Sequence, residues 1–135
     1  MTVERQPEIL GIIEAHKKYH PGIEVISEGQ VSLLNERIWL CIVVSELLGN
    51  CLEKKGVTTV KITIEDGRLV VEDDVVHDNA EELVSKLNAK KVETTKEDHF
   101  GVGIWGSRKE LSDHDGKLEY HTEGGRIIAV ATWVE

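Results

Sequence analysis

The chain has 135 residues, 40% of them hydrophobic and 30% charged, with a formal net charge of −9. That length suits one core, so a single domain over residues 1–135 is expected. The acidity argues against a nucleic-acid or anionic-membrane surface. No apolar run approaches the ~20 residues of a membrane span, and the opening MTVERQPEIL has no signal-peptide core, so a cytoplasmic protein without a membrane segment is expected.

Pro7 to His20 reads as an amphipathic helix, with Pro7 near its start and Ile9, Leu10, Ile12 and Ile13 as its apolar side. His16 and His20 stand four apart, which would suit a metal pair, but no third ligand accompanies them at a recognisable spacing, and they read as exposed surface. Pro21-Gly22 breaks the helix, and IEVISEG follows as a short strand ending at Gly29.

Arg37 to Lys55, RIWLCIVVSELLGNCLEKK, is helix-sized and apolar around most of its circumference, which belongs inside a domain. Glu46, Asn50 and Lys54 recur every four residues and stack an acid, an amide and an amine on one face. Such a stripe is either the wet edge of a core helix or a set of groups aimed at a ligand. Cys41 and Cys51 share this helix, about 15 Å apart along its axis, too far to bridge, and reduced core cysteines fit a cytoplasmic protein.

Gly56 is placed as the helix stop. VTTVKITIEDGRLVVEDD then reads as a hairpin: Val60, Ile62 and Ile64 alternate, Asp66-Gly67 turns, and Leu69 and Val71 resume the alternation. The period of two puts Asp73 on the face of Leu69 and Val71, where an acid is costly unless paired or facing a ligand. The alternative is a strand-end acid turning into solvent. Asp78 to His99 is polar and charge-mixed, with a short helix from about Ala80 to Leu87 capped by Asn79 and a loop-like remainder. Gly101-Val102-Gly103 opens a helix from about Ile104 to Leu111, and glycines there let backbone amides face an anion. Arg108, one turn in, is either surface or within reach of a phosphate. The chain closes with an alternating strand around Leu118 and Tyr120, a Gly124-Gly125 turn, and a strand from Arg126 to Val134 apolar on both faces.

In this order the motifs resemble those of the GHKL ATPases, most closely the catalytic domains of histidine kinases. SELLGNCLEK resembles the family's Asn-containing box, Asp73 its first glycine-box acid, Asp78 to His99 its ATP lid, and Gly101-Val102-Gly103 its second glycine box. The resemblance implies an α/β two-layer sandwich, a mixed sheet with helices on one face, and ATP and Mg²⁺ as ligands. It further implies that Asn50 ligates Mg²⁺ on the phosphates and that Lys54 approaches them. Asp73 would accept a hydrogen bond from the adenine amino group, Gly101 and Gly103 would hold the phosphates, and Glu46 stands where several branches carry an activating acid. One departure is plain: the segment after the acid reads Asp74-Val75-Val76-His77, and both glycines of the first box are gone.

Three functions follow from the resemblance. The first is an ATP·Mg²⁺-binding catalytic domain of histidine-kinase type, transferring phosphoryl to a separate protein or domain, because no histidine here sits in a recognisable dimerisation helix. The second is an anti-sigma-factor-like Ser/Thr kinase, favoured by Glu46 as a candidate general base. The third is a degenerate binding module that has lost nucleotide, favoured by Val75 and His77. Under all three the implied partner is a phosphoacceptor or signalling protein.

Overall fold

The structure, a computed structural model, describes residues 8–29, 38–65, 67–89 and 100–134. Among them the chain order is α1 (Glu8–Tyr19), β1 (Glu24–Gly29), α2 (Ile38–Leu52), β2 (Thr59–Glu65), β3 (Arg68–Asp73), α3 (Ala80–Asn88), α4 (Phe100–Asp113), β4 (Lys117–Glu123) and β5 (Arg126–Thr132). The strands form one five-stranded sheet in the order β1-β2-β3-β5-β4. β1 pairs parallel to β2, with α2 in the crossover that a parallel pair requires, and the remaining pairs are antiparallel. This is the expected mixed α/β sheet.

The alternation read from the sequence sets the register. Ile64 pairs with Leu69, Leu69 with Ala131, and Leu118 with Ala131; one step along, Ile62, Val71, Ala129 and Tyr120 form the next row. All eight of these side chains are buried. The intervening residues, Lys61, Thr63, Val70, Glu72 and Val130, keep partial exposure, so one face of the sheet takes the helices. Across this face α2 buries Leu40, Val43, Val44, Leu47, Leu48 and Leu52, each worth about 1.5–3 kcal/mol of transfer free energy. α1, α3 and α4 pack around it, against α2 or the sheet. Cys41 and Cys51 are buried and unbridged, as their separation on one helix required.

The start of α2, the turn after α4 and the end of β5 are tied by rings: Trp39 stacks on His114 with centroids 4.1 Å apart, and Trp133 meets Trp39 edge-on at 6.0 Å. Gly29 ends β1 at φ 91°, and a Cβ there would lie 2.0 Å from the Ile64 carbonyl oxygen, so only glycine lets the two strands stay paired.

Four local expectations need correction, and others lie beyond the described residues. α2 ends at Leu52, so Lys54 is not on the helix: the N–H of Lys54 donates to the Cys51 carbonyl, three residues back, and the chain tightens and leaves the helical path. Asn79 does occupy the N-cap of α3, but its side chain makes no capping hydrogen bond. α4 begins at Phe100, so Gly101 and Gly103 lie inside its first turn instead of ahead of it. His16 is half-buried against α2, its Nε2 3.4 Å from Ser45 Oγ, not open surface. Arg37, Asp66 and residues 90–99, the second part of the expected lid, lie outside the described residues.

Candidate functional site

Asp73 ends β3 within an apolar row: it pairs with Val60, which pairs with Val25. The pleat therefore aims its carboxylate under α2, and the residue is 2% exposed. A charge so placed needs donors. Lys54 Nζ lies 2.8 Å from Oδ2, and the N–H of Val75 donates to Oδ1 at 2.9 Å. The Cys51 thiol adds a third hydrogen bond; burial, then the Asp73 charge, pushes that thiol well above its ordinary pKa. The inward reading of Asp73 holds and the solvent reading fails.

The polar stripe of α2 drifts as it descends. Each four-residue step turns the helix by about 40° beyond a full turn. Glu46, beside the 46%-exposed Ile42, is therefore open to solvent, whereas Asn50 is half-buried. The Asn50 Nδ2 position is buried and has no hydrogen-bond partner among the described residues. Lys54 has been carried past the helix end onto Asp73. Cys51, Lys54 and Asp73 thus form one cluster at the C-terminal end of α2, with Asn50 next to Cys51 in the chain and Glu46 one turn above Asn50.

Gly101 and Gly103 open α4, which packs on α2. The first four N–H groups of a helix, counted from its N-cap, have no partner within it, and that of Gly101 is one of them. Arg108, offered as surface or phosphate-directed, does neither: Nη1 donates to the Ala89 carbonyl at 2.8 Å and Nη2 to that of Leu87. It pins the end of α3 to α4.

Other polar positions escaped the sequence reading. Asp74 faces away from Asp73 and accepts from the Thr58 hydroxyl and from the N–H groups of Thr58 (2.9 Å) and Thr59 (3.2 Å), which hold its carboxyl down to about 2. Adjacent acids with opposite fates are what strand alternation dictates. A cleft of about 570 Å³ between the start of α3 and the β4–β5 turn is lined by His77, Asp78, Glu81, Glu82, Thr122 and Gly125 among others, and by none of the six candidate residues. Gly125, at φ 80°, lets Val76 and His77 close on that turn, where a Cβ would lie 2.8 Å from Val76 Cγ1. Among the described residues no group of three His, Cys, Asp or Glu side chains is arranged to hold a metal, and no helix is long and apolar enough to cross a membrane.

A family profile described as histidine kinase-, DNA gyrase B- and HSP90-like ATPase matches residues 35–133. Among solved structures, the catalytic domain of histidine kinase ThkA aligns at TM-score 0.66 and 21% identity, over 93% of this chain and 88% of that one. The mycobacterial sensor histidine kinase MprB aligns at 0.60 and 16%, over 93% and 91%. The cytoplasmic segment of histidine kinase QseC aligns at 0.55 and 16%, over 94% and 75%. A search of curated protein sequences finds no match. The structural likenesses speak for the fold, and the profile spans well over half of the chain: it belongs to the family of histidine kinase-, DNA gyrase B- and HSP90-like ATPases.

Proposed function

We propose that the chain is an ATP·Mg²⁺-binding catalytic domain of histidine-kinase type that hands phosphoryl to a separate protein or domain. The observation that carries this reading is the amide position of Asn50, buried and without a partner among the described residues. An unsatisfied polar atom at the edge of a packed core costs about 1–3 kcal/mol, and such a cost is expected where a ligand completes the bonding. The two ends of an amide are told apart only by their partners, so the same position taken as oxygen offers one hard ligand to a cation. Asn50 therefore fits Mg²⁺, with phosphate and water supplying the other ligands. Mg²⁺ held there would neutralise charge on the phosphates during transfer.

The other residues have roles of position and proton handling. The resemblance assigns the phosphates to Gly101 and Gly103, and their place in the first turn of α4 suits that role, because negative charge is favoured at a helix N-terminus. Glu46 is exposed and one turn from Asn50, open for its carboxylate to accept a proton from an attacking group. Asp73 is the acid for the adenine amino group. Here the fit is incomplete, because Lys54, Val75 and Cys51 already occupy that carboxylate.

That occupancy favours a second reading, a family member that no longer binds nucleotide. Calorimetry with ATP or ADP, with and without Mg²⁺, separates the two. Saturable binding strengthened by Mg²⁺ supports the kinase reading, and no heat at millimolar nucleotide supports the other.

A further inference from the structure

The phosphate-side role expected of Lys54 is not what its position suits. Its ammonium lies 2.8 Å from Asp73 Oδ2, the Asp73 side chain is 0% exposed beneath it, and Lys54 itself is 12% exposed. With the Val75 N–H on Oδ1 and the Cys51 thiol beside it, both carboxylate oxygens already carry a partner in the free protein. A base edge that is to bond Asp73 Oδ2 competes with Lys54 for it. We infer that Lys54 is the gate of the base subsite: it holds Asp73 in the free protein, and a purine enters only by replacing the ammonium with its own amino donor. This rests on the nucleotide-binding reading above and adds the element that sets base specificity and affinity.

The geometry makes the exchange mechanically simple. Lys54 sits in the turn after α2, fixed through its backbone by bonds to Cys51 and Val57, while its side chain is a flexible four-carbon stem. Rotating that stem delivers the ammonium to water without moving α2. The carboxylate cannot be left bare in an apolar row beside Val60, so only a ligand carrying a donor at this point stabilises the open state. Adenine has an amino group there. A 6-oxo purine presents an acceptor and gains nothing. Closure also reduces apparent affinity by the fraction of molecules that are open, so the parent binds ATP more weakly than its contacts alone would give.

The test compares Lys54→Met with the parent by calorimetry, using Mg·ATP and Mg·ITP. The gate predicts that Lys54→Met binds Mg·ATP at least tenfold more tightly while Mg·ITP is not tightened. A cation serving the phosphates predicts the opposite sign, weaker binding of both. If both proteins bind ATP and the variant is equal or weaker, the gate is overturned and the kinase reading stands. If neither binds any nucleotide, both fall. Should Lys54→Met fail to fold, trace acetylation of the parent reads the same event, with exposed Lys55 as internal reference. Lys54 is expected to react at least tenfold more slowly than Lys55 in the free protein, and to approach the Lys55 rate with saturating Mg·ATP but not with Mg·ITP or tripolyphosphate. Protection that persists or deepens with Mg·ATP overturns the proposal.

Discussion

Asn88 binds Tyr120 at both main-chain groups: its Nδ2 donates to the Tyr120 carbonyl at 2.9 Å, and its Oδ1 accepts from the Tyr120 N–H at 2.8 Å. Among the described residues β4 has a strand partner on the β5 side alone, so a side-chain amide does for its other edge what another strand would do. With Arg108 holding the carbonyls of Leu87 and Ala89, the last turn of α3 is fixed to both the sheet and α4.

Asn88→Ala is expected to lower stability by about 1–3 kcal/mol, because two main-chain groups of a buried edge residue lose their partners. Denaturant unfolding gives the magnitude, and hydrogen exchange gives the location: the Tyr120 amide should lose protection first. Unchanged Tyr120 exchange would show that the pairing carries no energy.

His16 makes stability fall as pH drops. Burial, then neighbouring His20, pulls its pKa below 6.5, with Glu53 opposing. A depressed folded-state pKa means the contribution is whole above the unfolded value, about 6.5, and is lost as pH falls through the lower folded value. The parent should therefore lose stability as pH falls below about 6.5, and His16→Gln should flatten that slope. Parallel profiles would place the pH dependence elsewhere.

Asp73→Asn should destabilise by about 3 kcal/mol, since it leaves the Lys54 ammonium against a neutral amide with little water to receive it. Thermal unfolding of Asp73→Asn, and of Asp73→Asn with Lys54→Met, checks this: the double variant should recover part of the loss because no lone charge remains. Additive losses would mean that the pair is not coupled.

Glu46→Gln changes an exposed residue, so stability should shift by no more than about 0.5 kcal/mol. Nucleotide binding should persist, while phosphoryl transfer or hydrolysis falls by on the order of 10²–10⁴-fold if the carboxylate is the base. A variant with parental turnover would remove that role.

Much of this was legible because strands with one buried face alternate strictly. Val60, Ile62, Ile64, Leu69 and Val71 determine the hairpin, and the same period turns Asp73 inward and Asp74 outward. What stayed hidden depends on where an element stops and on partners remote in sequence. A four-residue spacing put Lys54 on the Asn50 face, but α2 ends two residues earlier and the turn redirects the side chain to Asp73. Nothing near Arg108 in the chain announces that it binds carbonyls at positions 87 and 89. His16 likewise becomes buried only because α1 crosses α2 at Ser45 and Gly49, a small residue whose Cβ position would lie 3.7 Å from the imidazole.

The central claim is that Asn50 serves a ligand and not the fold, and calorimetry of Asn50→Ala with ATP, in Mg²⁺ and in EDTA, tests it most directly. A residue whose amide position is buried without a partner should be removable at little or no cost in stability. Asn50→Ala is expected to unfold at or above the parental temperature and to lose the Mg²⁺-dependent part of ATP binding. A variant that binds Mg·ATP as tightly as the parent would contradict it.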